Sequence, residues 1–296
     1  MAFRTAFLCL VLALGACSRT EPETQPPPPP AGLRIVPTTT AAAELLTLVA
    51  DPADLLALPE QVDSWSAQDF GRDGWESLPR FARYIAEPLL VLHPKLVVNH
   101  DWQAAETTKI LRDGGIRVLT LGSGTSYADL RTSLERLGKE LGREERARAA
   151  LSALDARVAT LGRQHAAFAG VRALVYTNDG SGGTASGAHT TADTILALAG
   201  FTNAAASLKG HADLSFERLL ALDPDLIVTG ARARGEPGST TRSMIEGSAA
   251  LETLRARRES RFVELSAALL SSDSQHIVDA AEQLQTQASA VLAHKR

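Results

Sequence analysis

Cysteine is almost missing from this chain of 296 residues: Cys9 and Cys17 are the only two, both within the first 17 positions. A disulfide framework and a cysteine-based zinc site are therefore excluded further on. Beyond those 17 residues no apolar run approaches the roughly 20 that span a bilayer. The remainder reads as a soluble body. Excess positive charge is missing too. With 30 Lys and Arg against 34 Asp and Glu, the formal net charge is −4, and nucleic acid, which needs clustered positive potential, is not an expected partner. Catalytic signatures are also lacking: there is no G-x-S-x-G elbow and no H-E-x-x-H, and the GSGG of residues 180–183 lacks the lysine of a phosphate loop. Ser272, Asp273 and His276 have the composition of a hydrolase triad, but they are close neighbours in sequence, whereas triad members usually come from separate elements. No enzymatic activity is expected.

What is present begins with an address. Residues 1–17 read MAFRTAFLCLVLALGAC: Arg4 is a positive start, residues 6–14 are apolar, and small residues precede Cys17. Charge, short apolar length and small residues together read as a secretory signal. Leu14-Gly15-Ala16-Cys17 resembles the lipobox of bacterial lipoproteins, which implies lipidation at Cys17. Residues 18–30 are polar and end in five consecutive prolines, an extended spacer and not part of a core. The expected organisation is a signal peptide over 1–16 and a lipid-anchored, Pro-rich tether over 17–32, with the protein exported to the periplasmic face and held to a membrane through Cys17.

The mature chain carries a repeat. Residues 87–99, EPLLVLHPKLVVN, and 217–229, ERLLALDPDLIVT, share seven of 13 positions: Glu87/Glu217, Leu89/Leu219, Leu90/Leu220, Leu92/Leu222, Pro94/Pro224, Leu96/Leu226 and Val98/Val228. Each copy reads as a short amphipathic helix, a proline break and an apolar run of strand length. Apolar runs without alternation suit strands buried on both faces, as in parallel sheets flanked by helices. A separation of 130 residues is too long for a solenoid period and implies two similar α/β lobes. Residues 33–37, 116–121, 171–176 and 261–265 supply further strands. A helical stretch over 127–168, broken near Gly138 and Gly142, lies between the lobes and has an apolar stripe through Ala147, Leu151, Leu154, Val158 and Leu161. The fold class predicted is α/β, two similar lobes with mainly parallel sheets joined by one long backbone helix: lobes over 33–125 and 170–296, connecting helices over 126–169.

This order of parts resembles the periplasmic substrate-binding proteins of ABC importers for cobalamin, haem and iron–siderophore complexes. The repeated modules carry the resemblance, together with GAHTTADTILALAGFTNAA over 187–205 and LSSDSQHIVDAAEQL over 270–284. These are similar to the family's glycine loop, threonine-capped helix and AG-x-x-N-A-A turn, and to its last pocket loop and C-terminal helix. The resemblance implies a monomer that captures a metal chelate between its lobes and delivers it to an ABC permease and its ATPase, with no cofactor beyond the transported ligand. It also implies docking through a surface carboxylate on each lobe, matched by Glu217 in the second and, less directly, by Glu44 in the first.

Ligands of open α/β sheets sit beyond the carboxyl ends of strands. Those ends offer His100, Asp101 and Trp102, then Tyr127, then Thr177, Asn178 and His189, then Arg232, then Ser272 and Asp273. The Trp102 indole offers a flat apolar face for a corrin, porphyrin or catecholate ring; packing on the lobe surface is its plainer role. Arg232 suits carboxylates or is a solvated loop charge. His100 is a hydrogen-bonding pocket residue, and an axial metal ligand only if the ligand is haem. His165 reads as a core histidine. Two alternatives stand beside chelate binding: a zinc- or manganese-binding protein of the same superfold, assembled on His100, His189 and His276, and a non-transport sensor on this scaffold.

Overall fold

The computed structural model describes residues 32–178, 183–231 and 240–293. The signal, the lipid-bearing cysteine and the proline run all lie outside these residues. No helix among the described residues is long and apolar enough to cross a membrane.

The first lobe runs β1 (Ile35–Pro37), α1 (Thr40–Val49), β2 (Leu58–Pro59), α2 (Val62–Trp65), β3 (Arg80–Phe81), α3 (Ala86–Val91), β4 (Leu96–His100), α4 (Ala105–Asp113) and β5 (Arg117–Leu121). Strands β1, β4 and β5 form a parallel sheet in that order. Both faces of its central strand are covered: Leu96 and Val98 join the core beneath α1, while Val97 joins a separate cluster with Ala86, Leu89 and Leu111. That is why the run reads as continuously apolar. Thr39 caps α1, its hydroxyl accepting from the Ala42 N–H.

Two helices follow, α5 (Tyr127–Leu141) and α6 (Glu144–Gln164). The predicted break falls at Gly142, which ends α5 in the left-handed conformation at φ 65° that glycine adopts without strain. The 21 residues of α6 span about 31 Å at 1.5 Å each. Arginines at its start and in its C-terminal half fasten it to different lobes. Arg143 and Arg146 bind Asp51 beyond α1.

The second lobe runs β6 (Arg172–Asn178), β7 (Gly183–Ser186), α7 (Thr191–Leu198), β8 (Thr202–Asn203), β9 (His211–Asp213), α8 (Phe216–Leu222), β10 (Leu226–Ala231), α9 (Thr240–Gly247), α10 (Arg255–Arg258), β11 (Phe262–Ser266), α11 (Ala267–Leu270) and α12 (His276–Ala293). Its sheet has the order β11-β10-β6-β7-β9, with β8 also on β6; β6, β8, β10 and β11 are parallel and β7 antiparallel to its neighbours. Arg157 of α6 reaches α12, binding Asp279 and Glu282, and Gln285 of α12 donates to the Leu161 and Ala199 carbonyls at 3.1 and 3.0 Å. One apolar core is continuous from β1 and α1 through α5 and α6 to β10 and α12.

The repeat appears as α3–β4 and α8–β10. Even the exits match: His93 and Asp223, equivalent positions just ahead of the shared prolines, both take the left-handed conformation, at φ 48° and 36°.

Candidate functional site

The carboxyl ends of β1 and β4 open onto a hollow of about 380 Å³ between the lobes. Thr38, Thr39, Thr40, Ala41, Gln61, Phe81, Ala82, Arg83, Tyr84, His100, Trp102 and Gln103 line it from the first lobe, Ser271 and Asp273 from the second. A pocket of this size, part aromatic and part polar, lies in the range used for small ligands.

His100 is buried and shares a 2.8 Å hydrogen bond with the Thr39 hydroxyl through Nδ1. Burial lowers its pKa to about 4, against the opposing pull of Asp101, so the ring is neutral at pH 7. Trp102 lies beside it, 65% exposed. Gln103 closes the hairpin of polar contacts: its Nε2 donates to the Thr38 carbonyl at 3.1 Å, and its Oε1 accepts from the Thr38 hydroxyl at 2.5 Å. Behind Tyr84, the Asn99 amide donates to the Tyr84 and Thr108 hydroxyls at 3.1 and 2.9 Å. Asp273 accepts from the Thr191 hydroxyl, and burial raises its pKa. Thr39, Thr40 and Ala41, at the start of α1, line the hollow, and helix starts favour negative charge.

The structure brings together only part of the predicted set. His100, Trp102 and Asp273 line the hollow. Asp101 is exposed and accepts from the Ser123 N–H and hydroxyl, which hold its pKa below the usual range. Tyr127 is turned away from the hollow: its hydroxyl donates to Asp155 of α6 at 2.7 Å, and burial raises its pKa to about 12. Thr177 is exposed on β6, while Asn178 is buried, its N–H donating to Thr241 and its side-chain amide to Tyr176. His189 is exposed at φ 63°, its N–H on Asp193. Arg232 lies outside the described residues. Ser272 is buried beside the hollow and donates to Glu44.

Glu44 requires a correction. Expected as a surface docking carboxylate, it is fully buried, because the face of α1 that carries it packs against the second lobe. Glu217 is exposed in the first turn of α8. Its partner by the repeat is Glu87, exposed in the first turn of α3. The sequence alignment of the two modules already pairs these glutamates. The threonines after β1 were findable by the same strand-end rule that gave His100.

A second hollow, of about 580 Å³, is lined by residues 62–71, 266–269, His276, Asp279, Glu282 and Gln283. Among the described residues, none of the predicted ligand set lines it. The three histidines of the bare-metal alternative are dispersed: His100 lines one hollow, His276 lines the other and bonds Asp279, and His189 lines neither. Among the described residues no group of three His, Cys, Asp or Glu is placed to hold a metal ion.

Residues 35–269 match the family model described as periplasmic binding protein. An uncharacterized ABC transporter substrate-binding lipoprotein of Bacillus subtilis (strain 168), YvrC, is 26% identical over 164 residues, half of each chain. The chain thus spans about half the length of that curated relative. Among solved structures, the periplasmic haem-binding protein BhuT with two haems has TM-score 0.75 at 20% identity, covering 88% of this chain and 99% of its own. The periplasmic haem-binding protein HutB of Vibrio cholerae has TM-score 0.74 at 21% identity, covering 86% and 98%. The vitamin B12-binding protein BtuF of Vibrio cholerae has TM-score 0.69 at 19% identity, covering 88% and 98%. At these identities the likeness is one of fold.

Proposed function

The chain belongs to the periplasmic binding protein family, and from that premise we propose that it captures a metal chelate (haem, cobalamin or a ferric siderophore) and delivers it to an ABC permease energised by its ATPase. The observation that carries the ligand class is the exposed Trp102 indole on the wall of a hollow that both lobes line. Trp102 and Phe81 supply flat apolar surface, and Arg83 and the start of α1 supply positive potential for an acidic fringe. A neutral His100 suits hydrogen bonding to such a ligand, or axial ligation if it is haem. The relatives named above for haem and vitamin B12 support the same class. The protein binds and hands over; no chemical step is assigned to it.

Delivery uses one exposed glutamate on each lobe, Glu87 and Glu217, placed alike by the repeated module. Export, lipidation at Cys17 and a monomeric state complete the reading. The test is a thermal shift of the purified protein with haem, cobalamin, a ferric siderophore, Zn²⁺ and Mn²⁺. A ligand specific for the native state adds about 2.7 kcal/mol at a hundredfold excess over Kd. One of the chelates should raise the Tm and neither bare ion should. A rise with Zn²⁺ or Mn²⁺ alone overturns the chelate reading.

A further inference from the structure

Glu44 is fully buried, yet its side chain is a carboxylate. A buried carboxylate is costly unless several donors satisfy it. Four do here, and they come from two lobes. From the first lobe the Ser66 hydroxyl and the Ala67 N–H bind Oε1 at 2.7 and 2.9 Å. From the second, the Ser272 and Ser274 hydroxyls bind Oε2 at 2.7 and 2.6 Å. The Gln275 amide adds a bond of 3.0 Å to the Glu44 carbonyl. Thus one residue of α1 joins its own lobe to a loop that lies 228 positions away in sequence.

The placement ties this network to both hollows. Ser66 and Ala67 line the larger one, and Ser271 and Asp273, on either side of Ser272, line the candidate ligand hollow. The Ser272 and Ser274 oxygens also lie 2.7 Å apart; with each hydroxyl's single proton given to Glu44 Oε2, it is the shared acceptor that holds the loop as a unit. An apolar side chain could fill the same space more cheaply. What a carboxylate adds is direction: two acceptor oxygens, each turned to a different lobe.

We propose that Glu44 is an interlobe strap, which ties the 271–275 loop to the first lobe and holds the second-lobe wall of the ligand hollow in place before any ligand arrives. Glu44 is a positioning residue, acting through Ser272 and Ser274 on Ser271 and Asp273. The inference goes beyond the proposed function and does not depend on which ligand is carried.

The test compares amide hydrogen exchange and small-angle X-ray scattering of the ligand-free protein with those of two variants. Ser272→Ala/Ser274→Ala removes both second-lobe donors to the carboxylate and leaves the first-lobe pair and the Gln275 bond to the Glu44 carbonyl. Amides over 270–276 should then exchange at least tenfold faster, those over 62–71 should be unchanged, and the radius of gyration should rise. Glu44→Gln keeps the volume and one acceptor oxygen, and should give an intermediate acceleration in the same loop. Uniform acceleration across the chain would mean a merely structural role; no acceleration at 270–276 would mean no strap. Either result overturns the proposal. If the double variant fails to fold, the Glu44→Gln exchange pattern decides alone. No ligand enters these readings, so their failure is distinct from a failure of the chelate assignment.

Discussion

The imidazole of His100 lies against the indole of Trp102, ring centroids 6.2 Å apart and planes 25° from parallel. One ring is buried and the other is mostly in solvent. A neutral ring at the back thus presents a second, exposed ring at the front. Two kinds of consequence follow, one for ligand and one for pH.

Trp102→Ala should weaken chelate binding tenfold or more. A stacked aromatic contributes on the order of 1 kcal/mol beyond its buried area, and 1.4 kcal/mol is a decade in Kd. Because the indole is 65% exposed, the Tm of the empty protein should hardly change. Titration of both proteins with haem, cobalamin and a ferric siderophore checks this. Equal affinities would put the ligand elsewhere.

His100 makes stability depend on pH in a particular window. Its pKa falls from 6.5 in the unfolded chain to about 4 in the folded one, so between these values the unfolded state binds the extra proton. Stability is complete above pH 6.5 and declines as pH falls towards 4, by about 3 kcal/mol at most for this group. Urea denaturation at pH 7 and pH 4.5 should show a smaller loss for His100→Gln than for the parent chain. Parallel losses would assign the acid sensitivity to other groups.

Glu87→Ala and Glu217→Ala should each impair uptake in cells while leaving chelate affinity unchanged. Both are exposed first-turn residues, where loss of a favourable helix-end charge costs only about 0.3–1 kcal/mol. Normal uptake by the double variant would remove these glutamates from docking.

Gly138→Ala offers a contest between two magnitudes. In an exposed helix the change gains about 1 kcal/mol, but here the new Cβ would stand 2.5 Å from the Ala147 Cβ across the α5–α6 packing. Overpacking of this kind costs about 1–3 kcal/mol, so net destabilisation is expected, read as a lower urea midpoint. A stabilised variant would mean that the helices separate without cost.

Cys17→Ser should move the protein from the membrane fraction to the soluble one once its signal is removed. Retention on membranes would count against lipidation as the anchor.

Much of the fold was legible because the inner strands β4, β6 and β10 are buried over most of their length and leave near-continuous apolar runs, and because one helix–strand module occurs twice. The stretch between β2 and α3 was not. Its strands have two residues each, too short for any period, yet Gln61, Phe81, Arg83 and Tyr84 of the candidate hollow come from it. That Trp102 and Asp273 line the candidate hollow was legible from their position beyond strands. Tyr127 obeys the same rule but fails, since the register of α5 aims its hydroxyl at Asp155. The burial of Glu44 had no local signal at all: its second-lobe donors enter at positions 272 and 274, and only the folded chain brings them together.

The strut α6 also sets a gauge. Salt bridges bolt it to the first lobe at Arg143 and Arg146 and to the second at Arg157, while each lobe carries an exposed glutamate, Glu87 or Glu217, at the same point of the same module. On the docking reading the molecule is a two-pin plug, its pin spacing written in helical turns. Removing one turn from α6 would shorten the strut by about 5.4 Å and leave both pins chemically intact, yet they would no longer meet sockets of fixed separation. Receptor choice can therefore drift through the length of one helix while the ligand hollow, built from other residues, changes on its own schedule.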